Sequence, residues 1–89
     1  MKDSYRFTYV DAVGTTTIKE GAGSLHRIII GTTSAGKIEV YDGVDGGVYT
    51  MLSELKASIA EGSLEFNCNF ANGLYLTNPS GSKITVVWR

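Results

Sequence analysis

Between positions 64 and 70 apolar and polar side chains alternate without a break: Leu64, Phe66, Cys68 and Phe70 against Glu65, Asn67 and Asn69. Successive residues of a β-strand point to opposite faces, so this stripe makes one face apolar and the other polar. The same period recurs along the chain. Tyr5, Phe7 and Tyr9 alternate with Arg6 and Thr8, Ile38 and Val40 with Lys37 and Glu39, and Ile84, Val86 and Trp88 with Thr85 and Val87. Thr15-Thr16-Thr17-Ile18 is β-branched throughout, and Leu74 and Leu76 flank Tyr75. Leu25 to Ile30 is more uniformly apolar, which predicts a strand covered on both faces.

Turn residues separate these runs at short intervals. Ala12-Val13-Gly14, Glu20-Gly21-Ala22-Gly23-Ser24, Glu61-Gly62 and Asn78-Pro79-Ser80-Gly81 are the plainest breaks. Thr33-Ser34-Ala35-Gly36 reads as a hairpin connection, and Asn72-Gly73 as a type I′ turn, because both residues accept positive φ. Asp42-Gly43 and Asp45-Gly46-Gly47 form a turn-rich loop. The segment from Tyr49 to Ala60 is ambiguous. Met51, Leu52, Leu55 and Ile59 sit at helical spacing, yet Leu55, Ala57 and Ile59 also share one face of a strand. Its neighbours are all strands, which favours a strand. About eight short strands result, the pattern of an all-β, compact antiparallel β-sandwich, jelly-roll-like, with an immunoglobulin-like sandwich as the rival. Residues 1–89 form one domain on this reading, with 1–20 as an N-terminal strand or an arm used in assembly.

A single domain of 89 residues buries a modest share of its surface and is marginal alone. Small domains gain stability from disulfides, metals or partners. One cysteine, Cys68, forbids an internal disulfide, and one histidine, His26, excludes a Cys₂His₂ zinc site. Self-association is the device that remains. Eight basic and nine acidic residues are scattered, with no Lys/Arg cluster to neutralise phosphates, so neither nucleic acid nor an anionic membrane is an expected partner. The longest apolar run, Ile28-Ile29-Ile30, is far short of a membrane span. The polar start Met1-Lys2-Asp3-Ser4 carries no signal-peptide pattern, which predicts a protein made in a cytosol.

Each candidate for chemistry has a plainer reading beside it. Gly21-Ala22-Gly23 begins like a dinucleotide fingerprint, but His26 stands where its third glycine belongs and a strand follows instead of a helix. Ser34 lies in a near miss to a nucleophile elbow, with Thr32 in place of glycine, and any Ser-His-Asp set would depend on His26. The loop from Asp42 has the flavour of a calcium site, but Val44 and Ser53 occupy positions where ligands are required. Cys68 sits on an apolar stripe with no neighbouring cation, as a buried small hydrophobe does. No catalytic residue, cofactor site or metal site is therefore expected. The aromatics are the unusual signal. Phe7 and Trp88 lean toward the core, while Tyr41, Tyr49 and Tyr75 fall near turns on outward positions. Tyr5, Phe7, Tyr9, Tyr41 and Tyr75 are the candidate interface residues, since Tyr and Trp bring large contact area at low entropy cost.

Several short motifs carry a resemblance. They are Gly21-Ala22-Gly23-Ser24-Leu25-His26-Arg27-Ile28, Tyr41-Asp42-Gly43, Asn69-Phe70-Ala71-Asn72-Gly73-Leu74-Tyr75 and the closing Ile84-Thr85-Val86-Val87-Trp88-Arg89. Across residues 21–89 they resemble small virion proteins of tailed phages, among them head decoration or cement proteins. The resemblance implies a non-enzymatic structural protein of the virion, assembled in the host cytoplasm. Such a protein stabilises the head by binding the capsid exterior. Its partners would be the major capsid protein or another virion protein, and itself, as a homo-oligomer with a trimer favoured. Alternatives are a tail or neck component, a small carbohydrate-binding module using exposed tyrosines, and a small hydrolase built on Ser34 and His26.

Overall fold

A computed structural model of the chain describes residues 5–44, 47 and 49–89. Eight strands are present among them: β1 (Arg6–Val10), β2 (Gly14–Glu20), β3 (Gly23–Thr32), β4 (Ile38–Gly43), β5 (Tyr49–Leu55), β6 (Gly62–Phe70), β7 (Gly73–Asn78) and β8 (Lys83–Trp88). They form two four-stranded antiparallel sheets of order β1-β8-β3-β6 and β2-β7-β4-β5. Strands consecutive in sequence almost always change sheets. The connection β4–β5 is the one hairpin whose strands pair with each other. This is the connectivity of a jelly roll, so the all-β, jelly-roll-like sandwich expected from the alternation is the observed architecture.

The core follows from the alternation. Ile28, Ile30, Ile84 and Val86 face Ile38, Val40, Leu74 and Leu76 across the sandwich, and all are buried. Leu64, Phe66 and Cys68 pack against this cluster from β6, and Phe70 belongs to it. The segment 49–60 is a strand only to Leu55. Leu52 and Leu55 both pack on the core although they are three residues apart, because the β4–β5 register slips between Val40 and Tyr41 and Leu52 is the extra residue. That slip combines the apolar spacings that made the segment ambiguous.

Four sequence expectations are corrected. Strand β3 is not covered on both faces. Leu25, Ile28 and Ile30 are buried, but His26, Arg27 and Ile29 are only half-buried, with register shifts at His26 against both neighbours. That bulge turns His26 and Arg27 outward together while Leu25 and Ile28 stay inside. Thr33–Gly36 and Ala71–Asn72 are not hairpin turns, since each joins strands of different sheets. Asn72 has no positive φ. Gly73 has one, at 156°, and a Cβ there would lie 2.5 Å from the Gly43 carbonyl oxygen. The glycine is needed for a close strand approach, not for a turn. Phe7 is not in the core: it is 71% exposed, whereas Trp88 does pack against the core.

Candidate interaction surfaces

Among the described residues the large exposed apolar side chains form two groups. The first runs from Tyr5 to Val13, with Phe7 at 71%, Val13 at 69% and Tyr9 at 60% exposure. The second comprises Val44, Tyr49 and Met51, with Tyr49 at 57%. Single exposed hydrophobics are ordinary, but grouped ones mark contact surfaces.

The first surface is built on β1. Val10 faces inward into the core, so Phe7 and Tyr9, at odd positions, face out. Opposite Phe7 on β8 is Val87, which is buried yet outside the core cluster. It is covered on the outer face of its sheet. At the end of this surface the Tyr5 ring stacks on His26 with centroids 4.3 Å apart, and the Arg89 guanidinium lies 5.0 Å from the same ring. His26 Nδ1 is 2.6 Å from Asn67 Oδ1, and Ser24 Oγ donates to Asn69 Oδ1 at 2.8 Å. Together these groups line a polar cleft of about 150 Å³.

The second surface is built on β4, β5 and β7, on the outer face of the other sheet. Val40, Leu74 and Leu76 point inward, which turns Tyr41 and Tyr75 out as direct cross-strand partners. Their rings stack at 4.8 Å, and Tyr49 meets Tyr41 edge-on at 5.1 Å. Tyr75 is therefore buried at 5% exposure despite facing outward, and of these three tyrosines Tyr49 is the exposed one. Tyr41 Oη donates to Glu39 Oε1 at 2.9 Å. Burial of the phenol, reinforced by the Glu39 carboxylate, pushes the Tyr41 pKa up to about 12. Glu39 and Glu54 are cross-strand neighbours, a pairing of like charges relieved by Lys37, whose Nζ is 2.9 Å from Glu54 and 3.9 Å from Glu39.

The five expected interface residues thus do not form one site. Tyr5, Phe7 and Tyr9 share the first surface, and Tyr41 and Tyr75 form the floor of the second. Val13, Val44 and Met51 complete the two surfaces and escaped the sequence reading. Val13 and Val44 lie in turns, where one apolar residue carries no period. Met51 lies in the segment whose period was ambiguous.

The candidates for chemistry are occupied otherwise. Ser34 Oγ is 2.6 Å from Ser82 Oγ. It follows the C-terminal end of β3, whereas His26 lies near the start of that strand, roughly 25 Å away along an extended chain. Asp42 accepts the Ala71 and Asn72 amides, each at 2.9 Å, and these bonds hold its carboxyl below the usual range. It ties β4 to the β6–β7 crossover. Asp45, Gly46 and Val48 lie outside the described residues, and with them part of the expected Asp/Gly loop. Burial raises the Cys68 thiol pKa, opposite to what a reactive thiolate requires. Among the described residues no group of three or more His, Cys, Asp or Glu is placed to hold a metal ion.

No protein-family profile matches the chain, and no curated protein matches it. Among solved structures it is similar to the core of Drosophila NLP, whose crystal structure is described as providing insight into pentamer formation and histone binding. The TM-score is 0.62 at 12% identity, over 98% of this chain and 97% of the other. This likeness shows the fold. It also overturns the phage reading and the capsid partner, and a pentamer-forming neighbour lends the favoured trimer no support. The whole-chain similarity is to a pentamer-forming, histone-binding core, and nothing points to a head decoration protein. The motifs behind the phage resemblance are strand and turn residues that this connectivity itself demands: Gly73 for a strand crossing, Asp42 for an amide pair, Leu25 and Ile28 for the core.

Proposed function

We propose that the chain is the self-associating core of a non-enzymatic, protein-binding assembly, a closed ring of five copies. The observation that carries this reading is that, among the described residues, the large exposed apolar side chains fall on two surfaces, Tyr5, Phe7, Tyr9 and Val13 on one and Val44, Tyr49 and Met51 on the other. A small domain with two such surfaces and no disulfide gains from contact with its own copies the burial it lacks alone. The Drosophila core of the same fold is described as a pentamer, which supports the number five. For the non-enzymatic part, the two candidate nucleophiles weigh against catalysis: Ser34 and His26 are far apart, and burial disfavours the Cys68 thiolate.

Histone binding stays with the Drosophila protein. Glu39, Glu54 and Glu65 are each bonded to Tyr41, Lys37 or Arg27, Glu61 accepts the Thr33 amide, and Asp42 caps two amides. With eight basic and nine acidic residues in all, such a surface offers little field to a polycation.

Assembly is tested by the concentration dependence of stability. A ring that unfolds with dissociation must melt at higher temperature as protein concentration rises. A melting temperature that climbs by several degrees over a hundredfold increase is expected. A melting temperature independent of concentration, with a monomeric mass, overturns the proposal.

A further inference from the structure

Resting on the ring reading, we infer that the two exposed surfaces are the two halves of one head-to-tail interface: Tyr5, Phe7, Tyr9 and Val13 of one copy seat on Val44, Tyr49 and Met51 of the next. Three observations carry this beyond the existence of a ring.

The first is placement. Strands β1 and β2 are edge strands of their sheets, joined by only three residues, so they share one open side of the sandwich. Strands β5 and β6 are the other two edge strands, and form the opposite side. The first surface lies on β1 and the second centres on the β4–β5 hairpin. They sit at opposite edges and on the outer faces of different sheets. No two-fold contact of one surface with itself covers the other, whereas a head-to-tail contact covers both in every copy. An odd ring of identical chains also admits only heterologous contacts.

The second is chemistry. The first surface offers the exposed rings of Tyr5, Phe7 and Tyr9, and the second offers Tyr49 and Met51 on a floor of stacked tyrosines. Thioether–aromatic contacts and further edge-to-face ring contacts are available between the halves. With aromatic side chains of ~150–250 Å², the four exposed rings alone present on the order of 400 Å² for burial. That is a fitting apolar centre for an interface of standard size.

The third is the strand edge. The edges at β2, β5 and β6 are each interrupted by a register shift, which discourages pairing with another chain. The five pairs from Arg6 to Val10 of β1 run without one. Strand β1 is the edge left without this protection, as suits a strand that the next copy covers.

The test mixes two defective variants. One carries Phe7→Asp with Tyr9→Asp, the other Tyr49→Asp with Met51→Asp. All four positions are exposed, and a milder pair with serine at the same positions guards against misfolding. Each variant alone is expected to run as a 9.6 kDa monomer. An equimolar mixture is expected to give a dimer of about 19 kDa and nothing larger, because one intact head meets one intact tail. Either folded variant assembling alone, or a mixture that stays monomeric, overturns the head-to-tail contact. A wild-type chain that is itself monomeric overturns the ring, a result distinct from both.

Discussion

Tyr41 is the residue at which packing and electrostatics meet. It stacks on Tyr75, meets Tyr49 edge-on and donates to Glu39, so its neutral form is favoured and its pKa stands at about 12. A phenol raised above its usual 10 stabilises the folded state below about pH 10, and that contribution is lost as the pH rises toward 12. Alkaline denaturation is therefore expected to begin in that window. Tyr41→Phe is expected to show a shallower alkaline loss and a cost of about 0.5–1.5 kcal/mol near neutrality from the missing hydrogen bond. Urea melts of both proteins from pH 8 to 12 check this. Asp42 shows the opposite sign. Its carboxyl is held below 3.8 by two backbone amides, so its contribution is present above pH 3.8 and lost on acidification through its folded value. Asp42→Ala is expected to cost about 1–3 kcal/mol, the range for bonds to a charged acceptor, in chemical denaturation at pH 7. Cys68 is expected to react with a thiol reagent more slowly in the native protein than after denaturation, because burial disfavours its thiolate. Equal rates would contradict its placement against the core.

At the scale of elements, the alternation exposed the strands but not their partners. Leu64, Phe66, Cys68 and Phe70 show where β6 lies and which way it faces, since a half-buried strand must alternate. Asn72-Gly73 suggested that β6 and β7 pair with each other. They belong to different sheets, and the same two residues serve a crossover. Local sequence expresses backbone preference, whereas sheet membership is set by which strands stack across the core. The same limit hid the bulges at His26 and after Met51, where two outward or two inward residues follow each other and the period breaks. It also hid that the five residues expected at an interface divide between two faces. Gly73 gives a sharp check at this scale. Gly73→Ala would drive a methyl onto the Gly43 carbonyl oxygen with φ at 156°, and is expected to cost about 2–4 kcal/mol in thermal or urea denaturation. A near-neutral effect would contradict the close approach of β7 to the end of β4.

For the whole molecule, small size and exposed aromatics belong to one explanation. The chain spends Val10, Ile18, Leu25 and the other buried residues on a thin two-sheet core and leaves Phe7, Tyr9, Tyr49 and Met51 outside it. In a ring those residues become interior. Burying aromatic and thioether groups is what supplies stability to an interface of this kind, so Phe7→Asp with Tyr9→Asp is expected to lower the melting temperature of the assembly as well as dissociate it. The most direct measurement is native mass spectrometry of the intact chain at micromolar concentration. Five chains of 9.6 kDa, about 48 kDa, is the mass predicted. A spectrum dominated by the 9.6 kDa monomer at every concentration tried would contradict the account.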